Sequence, residues 1–397
     1  MNILIISPGI LPVPAVDGGA VENLIEIFLE ENEKYNKNNI VVYSCKNDKA
    51  EKKANDNFKK TKFRFIKTYG IKYKILKNIR WIINKLPGVY IGNEYINEII
   101  KDIKERDEEE KYDVILVENS PMHIIPLSKL FKDKLYLHMH NDFIKPKSKK
   151  SRVILKKCKK VIAVSDYIAH KIRSVADYNN VETVINGIKI EAFDKTYDNS
   201  EELKNKYNIR QNDFVFMYTG RVTRDKGVLE LLDAFKDMTE KYDDIKLLVV
   251  GSSFFNNGKK NKYIKSLEKI ADSIKDKVVF TGYIKHDELY KIYSIADVQV
   301  VPSKFEDPCP LSVIEGVVSG KPLIVSNCGG IPKLVNKNNA EFVENNAEFV
   351  KNLQKAMMYM YNNEERMRNM REYSKEQIGR FSLKTYYDNL LSKFSEE

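Results

Sequence analysis

The sequence predicts an α/β protein of two domains, each built on a parallel β-sheet. Short apolar runs alternate with longer amphipathic ones along the chain, which is typical of repeated β-α units. The 397 residues exceed the size of one typical core, and 43% of them are apolar, enough to fill two cores. A polar stretch at about 187–212 interrupts the alternation, so we place the first domain at residues 1–190 and the second at 191–378.

Apolar and amphipathic runs predict the elements of the first domain. Strands are expected at 2–6, 39–44, 63–67, 113–117, 134–138 and 161–164. Helices are expected at 19–34, 92–107, 122–131, 148–157 and 166–174. The apolar start of the chain is interpreted as a buried strand and not as a signal peptide, because it lacks a basic flank and a long apolar core.

The second domain repeats the pattern. Strands are expected at 214–219, 245–250, 277–280, 298–301 and 322–325. Helices are expected at 227–240, 261–274, 286–293, 312–318, 347–361 and 364–377. No Gly-x-Gly-x-x-Gly and no Walker sequence occurs, which weighs against a dehydrogenase and a P-loop enzyme.

Cysteine content and hydropathy indicate a cytoplasmic protein. The four cysteines are widely spaced and form no Cys-x-x-Cys, a pattern typical of reduced thiols and not of a disulfide framework or a zinc site. No apolar run approaches the ~18 residues that a membrane span needs. We therefore expect neither a membrane-spanning nor a secreted protein.

The net charge of +11 is confined to the first half of the sequence. Residues 1–190 contain 35 Lys and Arg against 24 Asp and Glu, whereas residues 191–397 contain 32 of each. Residues 57–93 hold ten basic residues and 143–165 hold nine, with no acidic residue in either segment. We expect an anionic partner for the first domain; no nucleic-acid module accompanies the charge, so nucleic acid is disfavoured.

A helical pattern within the first basic segment suggests what that partner is. Over residues 71–86 isoleucines recur at helical spacing among cations: Ile75, Ile79, Ile82 and Ile83 among Lys72, Lys74, Lys77 and Arg80. Such a pattern suits an anionic membrane surface, to which the protein would bind peripherally on the cytoplasmic side. A packed helix with a solvated basic face explains it equally well.

A glycine-rich turn after the predicted strand 214–219 is the first candidate site. Gly220 and Gly227 bracket the cations Arg221 and Lys226, and the second glycine opens a helix. Glycines permit close backbone approach, a helix N-terminus favours anions, and the two side chains suit phosphate oxygens. The turn therefore predicts a diphosphate site, with an ordinary βα loop carrying surface cations as the alternative.

Two carboxylates about 80 residues later form the second candidate. Asp307 lies in a Pro-rich loop and Glu315 on the following helix, with Pro308 to Leu311 expected as exposed backbone between them. Carboxylates accept hydrogen bonds from the hydroxyl groups of a hexose and a ribose. The alternative is a turn or capping residue at Asp307 and a solvated helix residue at Glu315.

Four further loops follow predicted strands, where ligands of α/β sheets collect. They are 282–284, which could present main-chain groups to a base, 326–332, Asp17–Ala20 and His138–Asp142. His140 and the Gly18-Gly19 turn could approach each other. The pair His138 and His140 could indicate a metal, but no other histidine cluster supplies further ligands, and a structural histidine is the default for His138.

Taken in their order and spacing, these elements resemble the retaining glycosyltransferases of the GT-B fold, group 1 (GT4). The resemblance extends from Gly18-Gly19 and Asn186-Gly187 through the two candidate sites to Gly320–Val325 and Gly329–Pro332. Residues 138–143 and 163–166 are similar to bacterial spore-coat and surface-polysaccharide transferases. The resemblance implies two Rossmann-like domains facing across a cleft, with a C-terminal helix at about 379–397 packing on the first domain.

The resemblance also implies a role for each candidate residue. Arg221 and Lys226 would bind the donor diphosphate, Glu315 the ribose hydroxyl groups, and Asp307 and His140 the sugar at the reacting face. The catalytic set is therefore His140, Arg221, Lys226 and Asp307. Further donor contacts are expected from Gly18, Gly19, Gly220, Tyr283, Ile284, Pro308, Cys309, Pro310 and Leu311.

The implied reaction transfers a hexose-type sugar with retention of anomeric configuration and without a metal or other cofactor. UDP-sugars are favoured as donors over GDP-sugars, and the acceptor is a glycan or a lipid-linked molecule. No Asp-x-Asp pair occurs, so the two cations would replace the divalent ion that such pairs hold. Two residues depart from the family pattern: Asp307 stands where Glu is usual, and Lys333 where an acid is usual.

Overall fold

The computed structural model describes residues 1–83, 90–109, 111–175, 178–193, 199–251 and 262–395. It divides into two compact units. Unit 1 comprises Met1–Gly187 and Leu383–Glu397, and unit 2 comprises Ile188–Ser382. Within the described residues, no helix has the length and apolar character needed to cross a bilayer.

Unit 1 is a parallel sheet covered by helices. Its strands are β1 (Asn2–Ile6), β2 (Asn39–Cys45), β3 (Lys62–Ile66), β4 (Val114–Glu118), β5 (Leu135–Met139), β6 (Lys160–Ala163) and β7 (Val181–Thr183). Its first helices are α1 (Ala20–Tyr35), α2 (Asp48–Asn57), α3 (Ile71–Ile83), α4 (Glu94–Glu105), α5 (Ile124–Leu127), α6 (Lys149–Leu155) and α7 (Asp166–Arg173). The strand order is β3-β2-β1-β4-β5-β6-β7, and every pairing is parallel.

Unit 2 repeats this architecture. Its strands are β8 (Phe214–Thr219), β9 (Ile245–Val250), β10 (Val278–Gly282), β11 (Val298–Val301), β12 (Leu323–Ser326) and β13 (Ala340–Val343). Its helices are α8 (Ser200–Lys206), α9 (Val228–Thr239), α10 (Lys262–Ser273), α11 (Leu289–Ser294), α12 (Leu311–Val318), α13 (Ile331–Leu334), α14 (Phe349–Tyr361) and α15 (Glu364–Gln377). The strand order is β10-β9-β8-β11-β12-β13, again all parallel.

The last helix, α16 (Leu383–Ser395), belongs to unit 1. Tyr386, Tyr387 and Leu390 are buried in the same apolar core as Phe28 and Leu29 of α1. The Tyr387 hydroxyl donates to Asn32 Oδ1 over 2.8 Å. Helix α16 thus completes the apolar core to which α1 contributes.

The predicted α/β architecture with parallel sheets is confirmed, but two predicted helices were wrong in extent. The helix expected at 122–131 is a 3₁₀ turn followed by the short helix α5, since Pro126 cannot donate a backbone hydrogen bond. The helix expected at 286–293 begins as a 3₁₀ turn at His286–Glu288 and becomes α-helical only at Leu289.

Several short elements were not predicted: α2, β7, α8, α13 and β13. Helix α2 shows the reason. Asn47 caps it by accepting from the main-chain N–H groups of Lys49 and Ala50, a common N-terminal signal. Because Ala50 and Ala54 are its buried residues, α2 carries no recognisable apolar stripe.

Candidate functional site

The predicted phosphate turn of unit 2 lies at the carboxyl end of β8. The backbone at Gly220 has φ 144°, a 3₁₀ turn spans Arg224–Lys226, and Gly227 has φ 71° where α9 begins. A Cβ atom at Gly227 would overlap the carbonyl oxygen of Pro302. This glycine is therefore required for the packing of the turn against the loop that follows β11.

Lys226 and Asp307 form an ion pair. The Lys226 Nζ lies 2.5 Å from Asp307 Oδ2 and 4.8 Å from the centre of the Phe305 ring. The side chain of Lys226 is 18% exposed and that of Asp307 is 7% exposed. The structure thus brings together two predicted site residues that lie 81 positions apart. Arg221, the other predicted cation, has an exposed side chain, and its carbonyl accepts a hydrogen bond from the Tyr218 hydroxyl at 2.6 Å.

The Asp307 backbone is held by the loop after β12. Its carbonyl accepts from the Gly330 N–H at 2.8 Å, and a Cβ at Gly329 would overlap its backbone. Glu306 accepts from the Gly329 N–H at 2.6 Å, so its carboxylate is engaged with this loop. Cys309 and Pro310 are buried, while Pro308 and Leu311 are half-buried. The expectation of an exposed segment between the two carboxylates was therefore wrong.

Glu315 is buried on α12 within a polar network. Its two carboxylate oxygens lie 3.1 Å from His286 Nε2 and 3.1 Å from the Tyr293 hydroxyl. The Gln299 amide donates to both Tyr293 and Thr219 at 3.0 Å. Burial, together with the charge of Glu315, raises the pKa of Tyr293 well above its ordinary value. Glu315 is consequently a fixed acceptor and not the solvated helix residue of the alternative interpretation.

The loop after β10 places its two predicted residues differently. Tyr283 is 75% exposed, whereas Ile284 is half-buried against the core of unit 2. The Gly282 backbone lies in the left-handed region at φ 71°. The exposed ring of Tyr283 is therefore available to a ligand.

In unit 1, the glycine pair lies at the start of α1. Gly18 and Gly19 have φ values of 80° and 101°, and Gly19 is the N-terminal cap. A Cβ at Gly19 would overlap the carboxylate of Glu22. Burial raises the pKa of Glu22, and the charge of Glu118 adds to the effect. Glu22 therefore links this turn to the carboxyl end of β4.

His140 lies at that edge with two buried partners. Glu118 ends β4, and His138 is its register partner on β5. The Glu118 Oε2 lies 3.1 Å from His138 Nδ1 and 3.0 Å from His140 Nε2. Within the described residues, Glu118, His138 and His140 each offer one ligand atom, and these three atoms lie within 4.8 Å of one another. Such a spacing could hold a metal ion. His138 is thus part of a cluster, and its Nε2 is buried without a hydrogen-bond partner among the described residues.

Sequence reasoning missed Glu118, His286, Tyr293 and Gln299. Glu118 had a usable signal, because it directly follows the predicted strand 113–117, and the next predicted strand leads into His138 and His140. Tyr293 and Gln299 had none, since each lies in an apolar run and contacts Glu315 or Thr219 only through the fold.

The chain is similar, over all or part of its length, to known proteins. Residues 199–377 match the family of glycosyl transferases group 1. The chain is 24% identical to the spore coat protein SA of Bacillus subtilis (strain 168), with both chains fully covered. It is 30% identical to the lipopolysaccharide 1,2-N-acetylglucosaminetransferase of Salmonella typhimurium over 51% of each chain.

Solved structures share the fold over the whole chain. The complex of Anabaena Alr3699/HepE with UDP superposes with a TM-score of 0.75 at 15% identity, covering 100% of both chains. The sucrose-phosphate synthase of Thermosynechococcus elongatus gives a TM-score of 0.72 at 17% identity, covering 100% of this chain and 98% of the other. The chain therefore has the GT-B fold, and its residues 199–377 are similar to the glycosyl transferases group 1.

Proposed function

We propose that the chain is a retaining glycosyltransferase that moves a hexose-type sugar from a nucleotide diphosphate sugar, preferably a UDP-sugar. The acceptor is a glycan or a lipid-linked molecule in the synthesis of cell-surface polysaccharide. The observation that carries the proposal is the pairing of Lys226 with Asp307, in the same unit as the buried carboxylate of Glu315. These side chains offer a cation for a diphosphate and acceptors for sugar hydroxyl groups within one unit.

The names of similar proteins support this choice of donor and acceptor. Structures of Anabaena Alr3699/HepE were determined with UDP, with UDP and glucose, and with UDP-glucose. A 41% identical stretch of 100 residues matches the capsular polysaccharide biosynthesis glycosyltransferase CapM of Staphylococcus aureus. We therefore place a nucleotide sugar in unit 2 and a cell-surface glycan precursor as acceptor.

The proposed chemistry stabilises the leaving group by charge. As the sugar–phosphate bond breaks, negative charge develops on the diphosphate, and Arg221 with Lys226 would neutralise it without a metal ion. Such preorganised stabilisation is usually the largest catalytic contribution. Asp307 would position the transferred sugar, and a diphosphate oxygen would accept the proton of the acceptor on the same face.

Ligand-induced thermal stabilisation tests the proposal. A donor that binds the folded state at 100 times its dissociation constant adds about 2.7 kcal/mol to stability. We expect UDP-sugars to raise the melting temperature more than GDP- or ADP-sugars do. The increase should be lost in Lys226→Met and kept in Lys236→Met, a control at an exposed position of α9. No response to any nucleotide sugar would contradict the proposal.

A structural coat protein is the second candidate, because the relative from Bacillus subtilis that spans the full length is named a spore coat protein. A GT-B epimerase, the remaining alternative, would not require the set of Arg221, Lys226, Asp307 and Glu315. Binding of a donor without any release of nucleotide diphosphate would favour the coat protein. Conversion of a sugar nucleotide to its epimer would favour the epimerase.

We further propose that helix α3 attaches the protein to an anionic membrane surface. The side chains of Ile75, Ile79 and Ile82 are 54%, 47% and 61% exposed, and their spacing places them on one face of α3. Lys74 is exposed, whereas Arg80 is paired with Glu94 at 2.7 Å. Residues 84–89 of the basic segment lie outside the described residues. Insertion of three isoleucines contributes roughly 3 kcal/mol, to which basic residues add about 1 kcal/mol each.

Vesicle sedimentation tests this attachment. We expect binding to vesicles containing phosphatidylglycerol, weaker binding to phosphatidylcholine, and release by salt. Ile79→Asp should reduce binding at least tenfold. The control Tyr359→Asp changes an apolar side chain of unit 2 that is 44% exposed and should bind normally. Equal loss in both variants, or no binding by the wild type, would show that α3 is an ordinary solvated helix.

A further inference from the structure

A buried carboxylate between two imidazoles is a feature of unit 1 that the proposed reaction does not yet use. The side chains of Glu118, His138 and His140 are 4%, 0% and 7% exposed. Among the described residues, no lysine or arginine pairs with Glu118. Asn119 holds the His140 main chain by accepting its N–H at 3.1 Å. Within the part of the chain that the structure describes, the Glu118 carboxylate therefore faces imidazole nitrogens and no side-chain cation.

The protonation of this cluster follows from its hydrogen bonds. Burial would raise the pKa of Glu118, but His138 and His140 outweigh it and hold the pKa at about 2. Burial, with His138 beside it, lowers the pKa of His140 to about 4. At neutral pH an ionised carboxylate thus faces a neutral imidazole. A carboxylate only accepts hydrogen bonds, so His140 Nε2 carries the proton and Nδ1 keeps its lone pair.

Glu22 does not alter this assignment. Its carboxyl group is buried, and its pKa is raised, chiefly by burial and further by the charge of Glu118. As the pH rises, Glu22 therefore loses its proton later than Glu118 does. The negative charge that orients the imidazoles resides on Glu118.

We propose that Glu118 is a positioning residue that acts through His140: it fixes the Nε2–H tautomer and reserves the Nδ1 lone pair for a hydroxyl group. His140 would then accept a hydrogen bond from a sugar hydroxyl. A lone pair repels anionic oxygens, so the same nitrogen disfavours a phosphate or carboxylate ligand. Of the two histidines, His140 retains some exposure, whereas His138 has none. This inference rests on the proposed function only in naming the hydroxyl as that of a sugar.

The substitution Glu118→Gln separates charge from shape. A glutamine has the same shape but no charge, and its NH₂ group donates where the carboxylate accepts. If the amide oxygen takes the place of Oε2, the NH₂ group opposes the His138 Nδ1–H, which lies 3.3 Å from Oε1. If the amide is turned over, the NH₂ group faces the nitrogens of both histidines and favours the other tautomer. We expect kcat to fall ~100-fold, as for loss of a positioned acid–base group. The dissociation constant for UDP, which binds in unit 2, should remain within twofold of the wild-type value.

Long-range ¹H–¹⁵N spectra of histidine-labelled protein provide a readout independent of activity. We expect the wild type to show His140, assigned with His140→Gln, as the Nε2–H form at pH 7. Glu118→Gln should shift this population, and Glu118→Asp, which keeps the charge, should restore it in part. Glu31→Gln, at an equally buried carboxylate paired with Lys34, is the control and should change neither spectrum nor kcat.

Three results would overturn the proposal. The first is a proton on Nδ1 of His140 in the wild type. The second is an unchanged tautomer and an unchanged kcat in Glu118→Gln. The third is one equivalent of zinc in the purified protein whose removal by EDTA shifts the signals of both histidines, since the cluster would then be a metal site. Failure of the proposed function would appear separately, as no turnover of any nucleotide sugar by the wild type, and the spectra would still decide the role of Glu118.

Discussion

At the residue scale, the pairing of Lys226 with Asp307 means that a diphosphate bound at the proposed donor site would meet a cation already engaged by a carboxylate. The pair is largely buried, and in such surroundings charges interact more strongly than in water. A diphosphate must therefore share Lys226 with Asp307. The sequence resemblance implies a glutamate at position 307, and the aspartate found there is shorter by one bond.

Removing the charge of Asp307 should separate binding from turnover. In Asp307→Asn the competing carboxylate is gone, and we expect UDP to bind about tenfold more tightly, a gain of ~1.4 kcal/mol. Transfer should nevertheless slow, because the proposed sugar contact is weakened. Titration calorimetry with UDP and a transfer assay measure the two effects. Weaker binding of UDP in this variant would show that Asp307 does not compete for Lys226.

His123 predicts acid sensitivity of unit 1. Burial lowers its pKa from 6.5 to about 4, so between these values the unfolded chain binds a proton that the folded chain excludes. The unfolding free energy is therefore highest above pH 6.5 and declines as the pH falls towards 4. Between pH 7.5 and pH 5 we expect a loss of about 2 kcal/mol from this residue. Urea unfolding should show a smaller decline in His123→Gln; an identical decline would contradict this assignment.

The candidate site residues could be selected from the sequence, but their contacts could not be predicted. The order and spacing of Lys226, Asp307 and Glu315 were sufficient to select them. The ion pair between the first two depends on the loop that packs Gly329 against Asp307, which no local pattern encodes. Glu118 was overlooked although it follows a predicted strand, because its proximity to the histidines depends on the pairing of β4 with β5.

At the element scale, two glycines of the candidate site share a backbone conformation but differ in their surroundings. Gly227 and Gly282 share a φ of 71°, so both incur the cost of a left-handed backbone when replaced. A Cβ at Gly227 would overlap Pro302, whereas at Gly282 no atom lies within 4 Å. The two positions therefore separate backbone strain from steric overlap.

We accordingly expect Gly227→Ala to be the more damaging substitution. Gly282→Ala should cost about 1 kcal/mol, the usual penalty for a left-handed residue. Gly227→Ala should cost at least about 2 kcal/mol more, because overpacking adds to that strain, and it should also weaken donor binding. Thermal melts of both variants test the difference. Equal losses of stability in the two variants would mean that the loop after β11 shifts at no cost in free energy.

Long elements with strong periodicity could be predicted within one or two residues, as β8 and α15 show. Short elements could not, because their stability comes from neighbours. Strand β7 has three residues and is defined by its pairing with β6, and α13 is a four-residue helix that begins at Ile331. Helix α3 was recognised from its periodicity, but the exposure of its isoleucines became visible only in the structure.

At the scale of the whole molecule, unit 1 is not simply the first half of the sequence, because it includes Leu383–Glu397. The C-terminal helix α16 completes the core of unit 1, so that unit is assembled from residues far apart in sequence. The excess positive charge also lies in the first half. We therefore assign the proposed membrane contact and acceptor site to unit 1, and the proposed donor site to unit 2.

Deleting residues 383–397 should unfold unit 1. The deletion removes Tyr386, Tyr387, Leu390 and Phe394 from its core, and each large apolar side chain contributes roughly 1.5–3 kcal/mol. The sum approaches the whole stability of a typical domain, about 5–15 kcal/mol. Tyr387→Phe, which loses only hydroxyl hydrogen bonds, should cost about 1 kcal/mol. A truncated chain with the native melting temperature and hydrogen-exchange protection would contradict this role of α16.

The most direct test of the central claim is release of nucleotide diphosphate from a sugar donor in the presence of a glycan or lipid-linked acceptor. We expect acceptor-dependent release of UDP from a UDP-sugar by the wild type and by Lys236→Met, and a loss of at least ~100-fold in Lys226→Met and Arg221→Ala. Equal release by all four proteins, or no release from any nucleotide sugar, would contradict the assignment of this site as the donor site of a glycosyltransferase.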